Sequence, residues 1–225
     1  MRWADEEAVF GAGLDGRHPG WPARLGPVRV AAGQVALRPV RLRDGAVWSR
    51  LRLRDEDYLR VWEPDAEGTW AERYATMAWP AMFGGLRATA RRGYALPFAI
   101  TLDGHFAGQL TLGNVVRGSL RSAWVGYWVE SSAAGGGVAT GAVALAVDHA
   151  FGPVGLHRVE ASVRPENAAS LRVLAKLGFR DEGLLRHYLE VDGAWRDHRL
   201  LAITRDEIGS GLVSRLIRSG HARHP

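Results

Sequence analysis

Alternating and helical spacings of apolar residues divide the first half of the chain into a strand followed by helices. Residues 35–40 alternate between apolar and polar side chains, which is typical of a half-buried strand. Asp44 stands at a typical N-cap position before a helical pattern over residues 45–62. A second helical spacing covers residues 67–92, where Pro80 must break or kink the helix. This half therefore predicts one strand and at least two helical segments.

The second half of the chain alternates between strand and helix patterns. Strands are predicted over residues 97–104, 105–115, 122–129 and 157–163, and in a final hairpin over residues 179–204. Asp-Gly pairs at 103–104 and 192–193 predict tight hairpin turns, because both residue types tolerate the positive φ of such turns. Helices are predicted over residues 138–151 and 167–178. A chain of this length and pattern predicts one α/β domain.

The two ends of the chain lack this regular pattern. Residues 1–34 are rich in glycine and proline, and they predict a partly irregular N-terminal extension. Trp3, Phe10 and Trp21 are the side chains that would dock this extension on the domain. The folded domain is assigned to residues 35–207, and residues 208–225 are assigned to a C-terminal tail.

Composition narrows the class of protein. No apolar run reaches the roughly 18 residues of a membrane span, and the N-terminus lacks an apolar signal core, so we expect a cytoplasmic protein. The absence of cysteine excludes disulfides and a cysteine nucleophile, and we expect no metal site. The net charge of +5 comes from arginines scattered among acidic residues, which argues against direct binding to nucleic acid.

Residues 126–151 form the most informative stretch, because a strand leads through three consecutive glycines into an apolar helix. Glycine lets the backbone approach a ligand closely, and the free amides and dipole at a helix start attract phosphate. Three glycines and an acid form a loose dinucleotide fingerprint: Gly135, Gly137, Gly141 and Glu160. This fingerprint follows an antiparallel hairpin instead of opening a βαβ unit, so its context is wrong for a dinucleotide. A P-loop is excluded because no Gly-Lys-Ser/Thr sequence follows.

A second stretch carries several motifs at a fixed spacing. They are the strand at residues 157–160, Pro165-Glu166-Asn167 with Ser170 three residues on, Leu177-Gly178-Phe179, Glu182-Gly183, and Trp195-Arg196-Asp197-His198. This combination resembles the GCN5-related N-acetyltransferase (GNAT) superfamily, in the branch of the ribosomal-protein N-terminal acetyltransferases RimJ and RimL. The resemblance covers residues 35–207 and is strongest over residues 122–204.

The resemblance implies a mixed, splayed central sheet of about seven strands flanked by helices. Acetyl-CoA is the implied cofactor, and CoA is the product. In the family the pantetheine arm lies between the fourth and fifth strands, which correspond to residues 122–129 and 157–163. The pyrophosphate rests on an R/Q-x-x-G-x-G/A loop that aligns with residues 134–139, where Ala134 replaces the Arg or Gln and an arginine elsewhere would have to compensate. The implied cofactor-binding residues are Val129, Gly135, Gly136, Gly137, Val138, Ala139, Thr140, Asn167 and Ser170.

Acetyl transfer to an amine needs a polarised thioester carbonyl, a neutral amine and a stabilised departing thiolate. By resemblance, the backbone amide near Val129, where the family's strand bulges, polarises the carbonyl. Leu174 stands where many relatives carry a Tyr acid, so Ser170 one helical turn earlier is the candidate acid. Asn167 is expected to cap its helix and also to orient the cofactor or a water molecule. Glu160 is the candidate base or, equally, the partner of a neighbouring Arg.

Other side chains leave the identity of the base open. Glu130, Tyr188 and Glu190 lie on or beside neighbouring strands and are alternative proton acceptors. His157 and His198 lack the spacing of metal ligands, so structural hydrogen bonding is the preferred interpretation of both.

The lack of an obvious strong base bears on which amine accepts the acetyl group. An α-amine has a pKa of about 7.7–8.0, against about 10.4 for Lys, so it needs less help to lose its proton. The preferred acceptor is therefore a protein or peptide N-terminus, and the resemblance points to a ribosomal protein. A small-molecule amine is the alternative within the family, and a weakly catalytic CoA-binding regulatory module is a second alternative. A homodimer is left open.

Overall fold

The computed structural model describes residues 20–225, so the predicted docking of Trp3 and Phe10 lies outside the described residues. The strands are Leu25–Val30 (β1), Gly33–Pro39 (β2), Leu96–Leu102 (β3), His105–Val116 (β4), Ser122–Val129 (β5), Arg158–Val163 (β6), Arg180–Val191 (β7) and Ala194–Thr204 (β8). The helices are Gly45–Arg54 (α1), Glu56–Leu59 (α2), Trp70–Tyr74 (α3), Trp79–Arg91 (α4), Val138–Phe151 (α5), Ala168–Leu177 (α6) and Leu212–Arg218 (α7).

The strands form one mixed sheet in the order β1-β2-β3-β4-β5-β6-β8-β7. This sheet with flanking helices confirms the predicted fold class, with eight strands in the described residues instead of about seven. None of the helices in residues 20–225 is both long and apolar enough to cross a membrane.

Strands β5 and β6 run parallel, whereas the other neighbouring strands of the described chain run antiparallel. Three residue pairs join them: Ser122 with Arg158, Ala123 with Val159, and Trp124 with Glu160. Pairing then stops, although β5 continues to Val129 and β6 to Val163. The predicted splay is therefore confirmed at residues 122–129 and 158–163.

Different helices cover the two faces of the sheet. On one face α5 is buried along nearly its whole length and packs with α6 and α7 over the main core. On the other face α1, α3 and α4 pack an aromatic cluster over β2–β4, with ring centroids 4.4–5.2 Å apart: Trp48, Trp70, Tyr74 and Trp79. Trp124 on β5 and Tyr188 on β7 stay exposed beyond this second cluster, so the later strands keep an open face.

Local sequence signals predicted the ends of α5 and α6. Helix α5 spans the predicted residues 138–151. Asn167 caps α6, because its side-chain oxygen accepts a hydrogen bond from the Ser170 N–H at 3.0 Å. Gly178 ends α6 in the left-handed conformation at φ 84°, and Pro80 lies in the first turn of α4, where a proline costs no hydrogen bond.

Asp44 has a different role from the predicted one. It stands at the N-cap of α1, but its carboxylate makes no capping hydrogen bond there. The carboxylate instead accepts the Arg41 N–H at 2.8 Å and pairs with Arg38 at 2.8 Å. Asp44 therefore caps the short 3-10 helix Leu42–Asp44, which precedes α1, and not α1 itself.

Regular structure continues on both sides of the predicted domain limits at residues 35 and 207. Strand β1 pairs with β2, and the Arg29 backbone exchanges hydrogen bonds with that of Arg223. The Trp21 ring packs edge-on against Phe98 at 5.3 Å, as its predicted docking requires. Helix α7 buries its leucines in the main core. The packed unit thus includes parts of the predicted extension and tail.

A buried carboxylate joins the end of α1 to the segment that follows β5. Asp55 is 5% exposed, and it accepts hydrogen bonds from the backbone N–H and the hydroxyl of Ser131, both at 2.8 Å. The Arg54 guanidinium donates to the same carboxylate at 2.8 Å and to Glu130 at 3.0 Å. These bonds, led by the one from Arg54, lower the pKa of Asp55 to about 2. Asp55 therefore fixes the start of the glycine-rich turn.

We expect Asp55→Asn to destabilise the protein by roughly 1–2 kcal/mol at neutral pH and to lose this deficit in acid. Because the folded pKa lies below the unfolded one, the stabilisation is complete above about pH 5 and is lost as the pH falls through about 4 towards 2. Urea unfolding of both proteins at pH 7 and pH 2.5 measures the difference. A deficit of equal size at both pH values would show that the charge of Asp55 is not its cause.

Candidate active site

The parting of β5 and β6 opens a cleft of about 1190 Å³. Its walls come from both strands, the turn at residues 133–140, the first turns of α6, the segment at residues 57–64, and β7 and β8. A second cavity, of about 490 Å³, is lined by Trp21, Arg41 and their neighbours and contains none of the predicted site residues. The cleft is therefore the candidate active site.

The N-terminus of α5 forms an anion seat in the wall of this cleft. Gly137 stands at its N-cap in the left-handed conformation, φ 86°, and has no side chain that could cap the helix. The first intrahelical bond runs from the Gly141 N–H to the Gly137 carbonyl, so the preceding amides have no partner within the helix. These amides belong to Val138, Ala139 and Thr140, which all line the cleft. Free amides and a helix dipole at one point fit a pyrophosphate.

The three consecutive glycines serve different purposes. Gly135 faces open space at φ 79° and lines the cleft. Gly136 does not line it: a Cβ there would lie 2.5 Å from that of Ala32, whose N–H donates to the Gly136 carbonyl at 3.0 Å. Gly136 thus allows the β1–β2 turn to pack closely, and its predicted contact with the cofactor stays a prediction. The other predicted cofactor-binding residues all line the cleft.

Helix α6 contributes two cations to the cleft that Ala134 also lines. Arg172 and Lys176 lie one helical turn apart, and both line the cleft. Within residues 20–225 neither takes part in an ion pair. They are therefore two cations in the cleft wall that are available to a phosphate group.

At the end of β5, the backbone N–H of Val129 points away from β4. A Cβ on Gly108 would lie 2.2 Å from the Trp128 carbonyl oxygen, so that carbonyl crowds β4. In a planar trans peptide the N–H points opposite to the C=O, so the Val129 N–H points away from β4. The bulge expected near Val129 is absent: the pairing of Gly108 with Val129 is in register, and the register shift lies between Gly113 and Val116.

Asn167 and Ser170 meet at the start of α6, and both line the cleft. The Asn167 side-chain oxygen is used for the helix cap, which leaves its amide N–H groups for a ligand. Leu174, where relatives carry a Tyr, is fully buried in the core. Ser170 therefore carries the hydroxyl on this helix that faces the cleft.

Glu160 lies at the apex of the cleft, opposite Trp124. Its carboxylate accepts a hydrogen bond from Arg158 at 2.6 Å, and Arg158 also holds Glu182. The bonds from Arg158 and then Arg180 lower the pKa of Glu182 to about 2. Of the two predicted roles of Glu160, the ion pair with a neighbouring Arg is the one present in the structure.

The alternative proton acceptors are less well placed than Glu160 to take a proton from an amine in the cleft. Glu130 pairs with Arg54, and Glu190 does not line the cleft. Tyr188 lines it, with its ring 5.7 Å from that of His198. His198 is buried, and its Nδ1 lies 3.1 Å from the Arg196 carbonyl oxygen, which supports the predicted structural role. No cluster of three or more metal-ligating side chains occurs in the part of the chain that the structure describes.

Comparison with known proteins decides the family. The model of the acetyltransferase (GNAT) domain matches residues 34–180. The chain belongs to the GNAT family. The structure of Mycobacterium smegmatis RimJ in complex with CoA-disulfide matches with a TM-score of 0.92 at 58% sequence identity, over 92% of this chain and 100% of that one. This GNAT protein is an acetyl-CoA-dependent N-acetyltransferase of the RimJ/RimL-like branch.

Two curated relatives extend the comparison. The [ribosomal protein uS5]-alanine N-acetyltransferase of Escherichia coli is 29% identical over 187 residues, which is 82% of this chain and 95% of the relative. The probable N-acetyltransferase YjcK of Bacillus subtilis is 44% identical over 101 residues, or 45% of this chain. The match spans 56%, about half, of the length of YjcK.

Sequence reasoning missed a segment of the GNAT domain that crosses the cleft, residues 60–65, which we call the strap. Its Asp65 carboxylate accepts the N–H groups of Asp192 at 3.1 Å and Gly193 at 2.7 Å. Arg164, at the end of β6, donates to the Val61 carbonyl at 2.8 Å. The strap thus ties α2 to the β7–β8 turn and to β6. Its partners are over 100 positions away, so no local pattern could have revealed it.

A buried arginine behind the strap was also missed. Arg52 pairs with Glu63 and lies over the Trp128 ring at 4.2 Å. Burial lowers its pKa, and the charge of Glu63 opposes that effect. Arg52 therefore holds Glu63 in an ion pair in the wall of the cleft.

Gly135→Asp and Gly135→Asn form a matched pair that tests the anion seat. Both side chains tolerate positive φ and enter open space, so they differ in charge alone. We expect the Asp variant to raise the Kd for CoA roughly tenfold relative to Asn, since about 1.4 kcal/mol of repulsion is a factor of ten. Isothermal titration calorimetry measures both. An equal loss of affinity in the two variants would exclude the phosphate contact. Gly137→Asp is a poorer test, because its Cβ would crowd Val30 at 3.2 Å.

Proposed function

We propose that this enzyme acetylates the N-terminal α-amine of a protein, with ribosomal proteins as the acceptor class. The observation that carries the proposal is the state of the carboxylates that line the cleft. Glu63, Glu160 and Glu166 are each paired with an arginine, and Asp57 is exposed to solvent. No buried, unpaired carboxylate therefore stands ready in the described cleft to deprotonate a strongly basic amine.

The energies favour an α-amine under this condition. Deprotonating Lys at pH 7 costs roughly 3–4 kcal/mol more than deprotonating an α-amine, from pKa values of about 10.4 and 7.7–8.0. Water can carry the proton from an α-amine of such low pKa. Glu160 at the apex of the cleft is the proposed acceptor of that proton, through water. The relative from Escherichia coli, named as an alanine N-acetyltransferase of a ribosomal protein, supports the same acceptor class.

The positions of the site residues support the remaining proposed roles. Acetyl-CoA supplies an activated acyl group that is transferred directly to the acceptor nitrogen. The amides at the start of α5 bind the pyrophosphate, and the Asn167 amide orients the pantetheine. The Val129 N–H donates to the carbonyl oxygen as negative charge develops on it. The Ser170 hydroxyl donates to the departing sulfur.

Peptides with free and blocked N-termini test the acceptor. We expect acetylation of free N-terminal peptides, and none of N-acetylated peptides that contain Lys. Under subsaturating peptide, kcat/KM should rise about tenfold per pH unit below pH ~7.7 and level off above ~8, since only the neutral amine reacts. Thiol release from pH 6 to 10, with peptides varied at their first two residues and spermidine for comparison, gives these values. A rate that still rises above pH 9, or a preference for spermidine, would contradict the proposal.

Ser170→Ala tests the proposed acid. We expect kcat to fall roughly tenfold to a hundredfold, since a hydrogen bond to a charged group contributes ~1.5–3 kcal/mol, while KM for acetyl-CoA changes less than about twofold. Ser162→Ala is the matched control, because it removes another hydroxyl that lines the same cleft. Steady-state kinetics of both variants decide the point. Equal rates for Ser170→Ala and wild type would refute the acid role.

A further inference from the structure

A half-exposed indole in the cleft has no role in the mechanism above. Trp124 on β5 is 44% exposed and lines the cleft, and it packs in neither hydrophobic cluster of the described residues. Single exposed apolar side chains are common in soluble proteins, so this exposure alone indicates no function. What distinguishes Trp124 is the backbone on which its ring lies.

Two glycines make room for the ring of Trp124. Gly113 on β4 is paired with Trp124, and Gly126 lies two residues further along β5, so all three residues share one face of the sheet. A Cβ on Gly113 would lie 2.2–2.5 Å from the ring atoms Cζ2, Cε2 and Cη2, and one on Gly126 would lie 3.1 Å from Cζ3. The indole therefore lies directly on the sheet, in space that a side chain at Gly113 would fill. It cannot move further towards the sheet, and its exposed part faces the cleft.

The indole lies on the opposite face of the sheet from the anion seat. Val125 and Val129 are buried in the main core, on the face that α5 and α6 cover. Side chains alternate along a strand, so Trp124 belongs to the other face. Its partner on β6 is Glu160, whose side chain therefore lies on the same face beside the indole. An acceptor that approaches the cleft from the face opposite the phosphates meets these two side chains.

We propose that Trp124 is a specificity-determining residue: the side chain of the acceptor's first residue packs against its indole, which limits the size of that side chain. This inference rests on the proposed function, in which the α-amine loses its proton to Glu160 through water. A residue whose α-amine lies near Glu160 has its side chain beside the neighbouring indole. Because the ring already lies on the backbone of Gly113, it cannot retreat towards the sheet for a larger side chain. The enzyme should therefore prefer small first residues.

Peptides that differ only in their first residue, which is alanine, valine, leucine or phenylalanine, test this limit. We expect the wild type to favour the alanine peptide over the leucine peptide at least about tenfold in kcat/KM, and Trp124→Ala to reduce this ratio about fivefold or more. The Kd for CoA, measured by isothermal titration calorimetry, should change less than about twofold, because the indole lies across the sheet from the anion seat. Trp195→Ala is the matched control: it removes an exposed tryptophan outside the cleft and should leave the ratio unchanged.

Gly113→Ala tests the same limit from behind the ring. Gly113 does not adopt a positive φ, so alanine fits its backbone, but the new methyl group must push the indole into the cleft. We expect kcat/KM to fall about fivefold more for the leucine peptide than for the alanine peptide. In the Trp124→Ala background the methyl group has room, so this extra loss should disappear. Thermal unfolding of all four proteins checks that each is folded.

Three other outcomes would overturn the inference. An equal loss for all peptides in Trp124→Ala would show that the ring supports the cleft without selecting by size. A greater loss for the leucine peptide than for the alanine peptide would show that the ring attracts large side chains. If the wild type acetylates these peptides without ranking them by size, the inference fails and the proposed function stands. If it acetylates none of them, the proposed function fails and the inference fails with it.

Discussion

The separation of β5 from β6 after only three residue pairs is the constraint on which the site depends. Each strand has a regular partner on its other side, β4 for β5 and β8 for β6, so the sheet keeps its order while it opens in the middle. The opening places the end of β5, the start of α5 and the start of α6 around one cleft. If β5 and β6 paired along their whole length, there would be no room for an extended ligand, and the N-terminus of α5 would face a closed sheet.

Close packing of α5 against β1 sets the position of the anion seat. Cβ atoms at Gly137 and Gly141 would both lie 3.2 Å from side-chain atoms of Val30, and one at Gly136 would meet Ala32 even closer. Glycine at these positions thus lets the helix start lie directly on the β1–β2 hairpin. The same residues that leave amides free for phosphate therefore also fix where those amides stand. The glycine pattern that was interpreted as a ligand-binding motif is therefore also required for the packing of α5.

Features determined by neighbouring residues could be predicted from the sequence, and those determined by distant partners could not. The Asn167 cap, the Gly178 stop and the hairpin at Asp103-Gly104 depend on local chemistry, and all three were predicted. Strand β1 was missed because its Gly-Pro content hides a strand that exists through pairing with β2 and Arg223. The pair of Arg158 with Glu160 was left open, although two residues apart on a strand share a face.

The opened sheet also explains why an extended ligand belongs in this fold. Residues 125–129 of β5 pair with β4 on one side, so the peptide groups that point the other way have no strand partner. Exposed strand edges usually attract further strands, which proteins avoid by covering them. Here the free edge lies in the cleft, whose walls include the first turns of α5 and α6 and the strap. The pantetheine arm is narrower than a polypeptide and carries its own amides, so it can form hydrogen bonds with these peptide groups. The unpaired strand edge thus favours a ligand of this shape.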